Sequence, residues 1–99
     1  TGVMLNVDRV AELLRSWGSR AQVRALADSG WFLDNEPYAP TDCTEWHSCA
    51  PLQAVKLAHR LWNGQVPTSC KLRQPITEQW RCYFGYVMYA DIATPLFVF

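Results

Sequence analysis

The sequence has no excess of charge of one sign and no long hydrophobic run. Its 99 residues carry nine basic and nine acidic side chains, which gives no reason to expect nucleic acid or an anionic membrane as a partner. No apolar run approaches the ~20 residues that span a bilayer, so no transmembrane segment is expected. An apolar fraction of 49% excludes a disordered tail and predicts a folded chain of domain size.

Complete catalytic signatures are absent as well. Ser29 lacks the glycine that opens a G-x-S-x-G nucleophile turn, and neither a phosphate-binding glycine loop nor an H-E-x-x-H zinc motif occurs. His47, in a presumed loop, and His59, on a presumed helix, are interpreted as surface side chains rather than general bases. The residues alone therefore predict the walls of a pocket, with no catalytic residue, metal ligand or cofactor site in this chain.

Four cysteines form an even set that is typical of an oxidising compartment. Cys43, Cys49, Cys70 and Cys82 predict two disulfides, and of the three possible pairings Cys43–Cys49 with Cys70–Cys82 closes the shortest loops. A zinc site that adds His47 to the first pair is the alternative. It is disfavoured because structural zinc sites usually have cysteines two to four residues apart, and this chain has no such pair.

Hydrophobic periodicity indicates an α/β chain. Steps of three and four residues predict a first helix that ends at Gly18, with an apolar face formed by Val3, Val7, Val10, Leu14 and Trp17. A strand over 21–27 follows, and the continuous apolar strand over 96–99 is typical of a parallel sheet that is covered on both faces. Between the strands the pattern predicts a helix, an irregular segment and another helix, over 50–63, 65–76 and 78–90. Because the chain opens inside a helical pattern and closes inside a strand, we expect an internal piece of a larger α/β domain.

Aromatic side chains are abundant, with five Trp, four Tyr and four Phe. A chain of this size buries so many rings poorly by itself, so some are expected to face a ligand or another part of the domain. Trp31 and Phe32 follow the carboxyl end of the first predicted strand, which is the edge where ligands bind in open α/β sheets. A pocket wall and core packing beneath the loop both remain open for these two residues.

Three stretches resemble one enzyme family. They are T-G-V-M-L-N-V-D-R-V-A-E at 1–12, L-A-D-S-G-W-F-L-D-N at 26–35, and C-Y-F-G-Y at 82–86 followed by P-L-F-V at 95–98. The chain is similar throughout its length, cysteine spacing included, to the animal carboxylesterases of the pectin acetylesterase family. Plant members keep a looser form of the second stretch, without its tryptophan.

The resemblance implies an α/β-hydrolase fold, a secreted enzyme and a Ser-His-Asp triad. The animal enzymes of this family remove a palmitoleate ester from a serine of secreted Wnt proteins, so a lipid-modified Wnt protein is the implied substrate and inhibition of Wnt signalling the implied outcome. In the family the nucleophile turn ends just before the position of Thr1, and the aspartate and histidine follow the position of Phe99. The resemblance therefore implies that this chain has no catalytic residue and is inactive alone.

By position, six residues match the lining of the family's lipid pocket: Thr1, Phe32, Pro51, Val55, Tyr83 and Phe84. Two of them depart from the expected residue. Val55 stands in place of isoleucine and makes the pocket roomier, and Tyr83 stands in place of phenylalanine and adds a hydroxyl that needs a partner. Either change is expected to shift the preferred acyl length. Ordinary core packing is the alternative for all six.

Two other functions remain open on the sequence. A polysaccharide O-acetylesterase of the same family would need bulk or polarity at positions 32, 55 and 84, where this chain has Phe, Val and Phe. A non-catalytic, disulfide-bonded module would use its Trp and Tyr residues to bind lipid or glycan. A set of basic residues suits a sulfated glycan of cell-surface proteoglycans, although a solvated surface explains them as well: Arg15, Arg20, Arg24, Lys71 and Arg73.

Overall fold

A long helix packed on two short parallel strands forms the frame of the chain, and a disulfide-bonded insertion occupies the connection between the strands. The computed structural model describes residues 2–45 and 47–99. Its elements are α1 Gly2–Ser16, β1 Ala25–Ala27, α2 Pro51–Leu61, α3 Thr68–Arg73, a 3₁₀ helix Ile76–Tyr83, α4 Gly85–Met88, a 3₁₀ helix Tyr89–Asp91 and β2 Leu96–Val98. Among the described residues, no helix is long and apolar enough to cross a membrane.

Helix α1 buries one apolar stripe. Met4, Val7 and Ala11 recur at helical spacing and are 3%, 6% and 7% exposed. Gly18 follows the helix in the left-handed region, at φ +78°, and its N–H donates to Arg15 O at 2.9 Å. The first predicted helix and its stop at Gly18 are therefore confirmed.

The buried face of α1 differs from the face that the sequence predicted. Val7 is buried and Leu14 half-buried as expected, but Val3, Val10 and Trp17 are 42%, 45% and 72% exposed. The helix carries two neighbouring apolar stripes that share Val7 and Leu14. The described part of the chain covers only the stripe next to the predicted one.

Strands β1 and β2 lie side by side and run in parallel. Their register pairs Ala25 with Leu96, Leu26 with Phe97 and Ala27 with Val98. The predicted parallel pairing is confirmed, but β1 occupies only the last three residues of the predicted strand over 21–27. Strand hydrogen bonds need a neighbour, and β2, the partner of β1 in the described chain, reaches no farther back than residues 95–96.

The two faces of this sheet differ in cover. Ala25 and Ala27 are 7% and 2% exposed on the face beneath α1, whereas Leu26 and Phe97 are 60% and 63% exposed. Successive side chains of a strand point to opposite faces, so the continuous apolar sequence places large side chains on both. The sequence predicted a sheet that is covered on both faces. Within the described residues, only the face beneath α1 is covered.

Asp8 fixes α1 to the segment that leads into β2. Its two carboxylate oxygens accept the backbone N–H groups of Ala93 at 2.9 Å and of Thr94 at 2.8 Å. Burial opposes the charge of the Asp8 carboxylate, but the hydrogen bonds from Thr94 and Ala93 outweigh burial and lower its pKa. A polar link thus supplements the apolar contacts of the frame.

The insertion forms short helices where the sequence predicted one helix over 78–90, and that prediction is wrong. The first 3₁₀ helix ends at Tyr83, Phe84 follows in an extended conformation with φ −78° and ψ 131°, and α4 begins at Gly85. This bend buries Phe84 completely. It also brings Gly85 against Trp31, because a Cβ at Gly85 would lie 2.8 Å from the Trp31 ring. A contact distant in sequence therefore sets the break, which local periodicity does not record.

Two disulfides hold the insertion together. Cys43 is bonded to Cys49 and Cys70 to Cys82, with Cα atoms 4.1 Å and 5.9 Å apart. This is the pairing with the shortest loops, and it leaves no free cysteine to hold zinc. The segment over 65–76, predicted to be irregular, contains α3 instead, because the fully buried Cys70 ties it to the core.

Candidate functional site

An apolar cavity of about 690 Å³ lies between α2, the loop closed by Cys43–Cys49 and the frame. Its volume falls within the ~300–1,000 Å³ typical of small-molecule sites. Its walls are mostly aliphatic and aromatic and include Leu5, Val55, Ala58, Leu61, Trp62 and Tyr83. Walls of this composition suit a hydrocarbon chain, because contact with them removes apolar surface from water.

Helix α2 supplies one wall, and its ends are well defined. Pro51 occupies the first turn of the helix, where a backbone N–H would have no acceptor within the helix, so its absence costs no hydrogen bond. The Gln53 side chain accepts the N–H of Ala50 at 3.2 Å and the hydroxyl of Thr41 at 2.5 Å, which joins the start of the helix to the segment before the disulfide loop. Asn63, at φ +49°, follows the end of the helix in the left-handed region. The second predicted helix is therefore confirmed.

The apolar side chains along one face of α2 contribute to the cavity but are only partly covered. Val55 and Ala58 are half-buried in the wall. Leu61 and Trp62, at the end of the same face, are each 76% exposed. This end of the cavity is consequently open to solvent.

Tyr83 contributes to the wall from the insertion. Its ring lies perpendicular to that of Phe84, with the ring centroids 6.0 Å apart. Trp80 packs against the same Phe84 ring at a centroid distance of 6.2 Å. The buried Phe84 therefore supports Tyr83 from behind, next to the disulfide that Cys82 forms.

The loop after β1 places Phe32 at the carboxyl edge of the sheet. Phe32 is 47% exposed and lies outside the walls of the apolar cavity. Its neighbour Trp31 packs edge-on against Tyr89, with ring centroids 5.9 Å apart, and contacts Gly85. Of the two pocket candidates on this loop, Trp31 is thus engaged in packing, and Phe32 presents much of its ring to solvent.

The structure brings together some of the six residues implied by the family resemblance. Val55 and Tyr83 line one cavity, and Phe84 stands directly behind Tyr83. Pro51, exposed at the start of α2, lies outside the cavity walls, as does the loop phenylalanine. Thr1 lies outside the described residues. A role of these side chains in binding an acyl chain stays a prediction.

Most residues of the cavity wall were not predicted from the sequence, and two of them show why. Leu5 lies on α1, and Val66 lies just before α3. Leu5 is apolar but does not belong to the predicted apolar face of its helix. An apolar residue in such a position indicates a second contact surface. Val66 carries no comparable signal, because only tertiary packing brings it to α2.

The two histidines differ in their surroundings. His47 is exposed as expected, with its Nε2 atom 3.3 Å from a carboxylate oxygen of Glu45. His59 is half-buried in the cavity wall rather than at the surface, and burial, followed by the charge of Lys71, lowers its pKa. Gly64 lies against it, since a Cβ there would be 2.7 Å from Nδ1. The imidazole therefore lies in a wall that is mostly apolar but also includes Glu45.

A polar cluster of Asp34, Arg81 and Tyr86 joins the loop after β1 to the insertion. Asp34 Oδ2 accepts a hydrogen bond from Arg81 Nε at 3.1 Å and lies 3.0 Å from Arg81 Nη2, while Oδ1 accepts the hydroxyl of Tyr86. The Tyr86 hydrogen bond lowers the pKa of Asp34; burial opposes this shift and the charge of Arg81 adds to it. The same hydrogen bond raises the pKa of Tyr86. The carboxylate is therefore held in its charged form.

The basic residues considered for a glycan have different partners. Arg15 and Arg24 line a second cavity, of about 520 Å³, beside the carboxylate of Asp8. Arg73 instead pairs with Asp91 on the insertion. Because carboxylates accompany these guanidinium groups, the positive potential available to a sulfate is reduced. Binding of a sulfated glycan stays a prediction.

Comparison with known proteins relates the whole chain to one family. The family model described as pectinacetylesterase matches residues 1–99. The palmitoleoyl-protein carboxylesterase NOTUM of Homo sapiens is 52% identical over 99 residues, and the palmitoleoyl-protein carboxylesterase notum1 of Xenopus laevis is 50% identical over 99 residues. Each alignment covers 99% of this chain and 20% of the relative. The chain thus spans about a fifth of the length of the curated relatives it matches.

A solved structure shares the fold. The structure of the Wnt deacylase Notum from Drosophila matches 98% of this chain and 27% of its own, with a TM-score of 0.80 and 45% sequence identity. The α/β-hydrolase fold class expected from the sequence is confirmed by this match.

Proposed function

The chain belongs to the pectinacetylesterase family, and we propose that it forms part of a secreted serine carboxylesterase that removes palmitoleate from a Wnt protein. The names of its relatives support the proposal, since the human protein is a palmitoleoyl-protein carboxylesterase and the Drosophila structure is that of a Wnt deacylase. In this proposal the 99 residues supply walls for the acyl chain.

The apolar cavity is the observation that carries the proposal. Each CH₂ group that leaves water contributes ~0.8 kcal/mol, so a long acyl chain gains much from a cavity with hydrocarbon walls. The cavity of about 690 Å³ is far larger than an acetyl group needs, and Val55 and Tyr83 contribute apolar rather than charged surface. These features favour a fatty acyl ester over an acetyl ester.

The catalytic Ser-His-Asp triad lies outside these 99 residues in this proposal. The serine attacks the ester carbonyl while the histidine takes its proton, the alcohol of the substrate leaves, and water then releases the fatty acid from the acyl-enzyme. By the family resemblance, the nucleophile precedes Thr1. Helix α1 would then begin next to the reacting carbonyl, where the partial positive charge of a helix N-terminus stabilises an oxyanion.

The two disulfides support a secreted location. Disulfides persist in oxidising compartments and are rare in the cytosol. All four cysteines of the chain are paired. A protein that meets Wnt outside the cell would form them during export.

A chimera tests this function. The 99 matched residues of the human relative are replaced by this chain, and palmitoleate release from a palmitoleoylated Wnt peptide is measured. We expect release by the chimera and by the human protein, and none by a chimera whose nucleophilic serine is changed to alanine. A chimera that is secreted and folded but releases no palmitoleate would contradict the proposal.

Assays of the isolated chain and of an acetyl ester distinguish the proposed function from the two alternatives. The 99-residue chain alone should hydrolyse no ester above a heat-inactivated control, and turnover would contradict a triad outside it. Faster hydrolysis of the acetyl than of the palmitoleoyl ester by the chimera would favour the polysaccharide O-acetylesterase. If the chimera binds the palmitoleoyl peptide tightly but does not hydrolyse it, the non-catalytic module would be favoured.

A further inference from the structure

We propose that the Asp34–Arg81–Tyr86 cluster is a positioning site that holds Phe32 in place and thereby sets the acyl-chain selectivity of the enzyme. The proposal rests on the proposed function, because acyl selectivity exists only in an esterase. None of the three residues of the cluster lines the apolar cavity. They act through the loop that they hold.

The cluster links a loop of irregular structure to a part of the insertion that is covalently fixed. Asp34 belongs to the loop after β1, whereas Arg81 and Tyr86 lie 47 and 52 residues later in the sequence. Arg81 immediately precedes Cys82, which has no exposed surface and is bonded to Cys70. The insertion side of the cluster is therefore anchored to the core, and the cluster ties the loop to this anchor.

Phe32 is held through its neighbours rather than through its own ring. On one side, Trp31 packs against Tyr89 and Gly85. On the other side, two residues farther on, Asp34 enters the cluster. The Phe32 ring between these two points remains 47% exposed, which leaves it available to a ligand at the carboxyl edge of the sheet.

The geometry of the cluster favours one orientation of the loop. The Asp34 side chain is 14% exposed, and both of its oxygens accept hydrogen bonds. Two guanidinium nitrogens of Arg81 approach one oxygen, a contact that the single ammonium of lysine does not reproduce. Arg81 Nη2 also lies 3.5 Å from the Tyr86 hydroxyl, which closes the cluster. Charge-assisted hydrogen bonds of this kind are stronger than neutral ones.

A displaced Phe32 would affect long and short acyl chains differently. The contribution of an apolar contact grows with the number of CH₂ groups that it covers. A butyryl ester has few such groups, and a palmitoleoyl ester has many. Loss of the cluster should therefore lower selectivity for the long chain, with the chemistry on the short ester unchanged.

The test compares kcat/KM for palmitoleoyl and butyryl esters of one chromogenic alcohol in the chimera. We expect Asp34→Asn to reduce the palmitoleoyl-to-butyryl ratio about tenfold, mainly through KM, since it weakens charge-assisted hydrogen bonds to two partners. Tyr86→Phe removes one hydroxyl and should reduce the ratio about threefold. Asp8→Asn is the matched control, because Asp8 also accepts two hydrogen bonds, from Ala93 and Thr94, and lies outside the apolar cavity; its ratio should not change.

The possible outcomes distinguish failure of this inference from failure of the proposed function. An unchanged ratio in a folded Asp34→Asn chimera would overturn the inference and leave the proposed function intact. An equal loss on both esters, accompanied by a lower melting temperature, would mean a purely structural role and would also overturn it. If Asp34→Asn is not secreted, the milder Tyr86→Phe decides by the same criteria. An unsubstituted chimera that hydrolyses neither ester would instead overturn the proposed function, and this inference with it.

Discussion

The frame and the insertion of this chain are stabilised by different means. In the frame, α1 buries Met4, Val7 and Ala11, and the backbones of β1 and β2 pair with each other. In the insertion, α2 has no fully buried residue. The rest of the insertion buries Phe84 and Met88 completely, and the disulfides Cys43–Cys49 and Cys70–Cys82 cross-link it in addition, which the frame lacks.

The difference has a consequence for the cavity, which lies between the two regions. The frame contributes Leu5 from a regular helix, whereas α2, the disulfide loop and Tyr83 belong to the insertion. The shape of the cavity should therefore depend more on the cross-links of the insertion than on the core of the frame. Substitutions that remove one type of support at a time test this dependence.

Removal of the buried disulfide should have the largest effect. Cys70→Ser with Cys82→Ser is expected to lower the free energy of unfolding by about 3 kcal/mol, because it releases a loop that restricts the unfolded chain. The two cysteines are 12 residues apart and have no exposed surface. The measurement is the thermal melting temperature and secreted yield of the chimera.

The second disulfide is the matched control for the first. Cys43→Ser with Cys49→Ser should cost about 2 kcal/mol, because the shorter loop restricts the unfolded chain less. These cysteines are six residues apart and half-buried. Equal losses for the two pairs, or a larger loss for Cys43–Cys49, would contradict the view that Cys70–Cys82 is the central link of the insertion.

Gly85→Ala should have the next largest effect, because Gly85 lies in close contact with Trp31 of the loop after β1. A Cβ at this position would lie 2.8 Å from the Trp31 ring and 3.2 Å from Met4 Sδ. We expect a loss of ~1–3 kcal/mol in the free energy of unfolding, typical of overpacking. In a double-mutant cycle, Trp31→Leu removes the ring, so the double variant should lose less than the sum of the two single losses. Additive losses would show that the Trp31 contact does not require glycine.

Much of the frame could be predicted from the sequence because its pattern is local. The spacing of Val7 and Leu14 and the stop at Gly18 define α1, and the apolar run over 96–99 indicates β2. The extent of β1 could not be predicted, because strand length depends on the neighbouring strand. The choice between the two apolar stripes of α1 likewise depends on what packs against the helix.

The insertion was less predictable because its structure depends on distant contacts. An even number of cysteines predicts disulfides, but the break at Phe84 follows from the approach of Gly85 to Trp31. In the site, the resemblance pointed to Val55 and Tyr83, which share one cavity. The Asp34–Arg81–Tyr86 cluster has no local signal, since its members come from different segments.

Asp8→Asn tests the polar link of the frame and should have a smaller, pH-dependent effect. The folded state lowers the pKa of Asp8, so its contribution to stability is present above the unfolded pKa of about 3.9 and is lost as the pH falls through the lower folded value. At pH 7 the variant should lose about 1 kcal/mol. Between pH 5 and pH 2, its stability should fall less steeply than that of the unsubstituted chimera.

The measurement for Asp8 is urea unfolding across this pH range. Glu12→Gln is the control, because Glu12 is an exposed carboxylate on the same helix, and its pH profile should match that of the unsubstituted protein. Parallel profiles for Asp8→Asn and the unsubstituted protein would contradict an ionised Asp8 as a stabilising link between α1 and β2.

Val55→Ile should have the smallest effect and bears directly on the cavity. The substitution adds one methylene to a half-buried wall residue, which narrows the space for the end of an acyl chain. We expect the chimera to shift its preference from the palmitoleoyl ester toward a decanoyl ester by about threefold, with little change in melting temperature. Val87→Ile is the control, because Val87 is also half-buried but is not part of the cavity wall. If both variants change the preference equally, the effect does not come from contact between the wall at Val55 and the acyl chain.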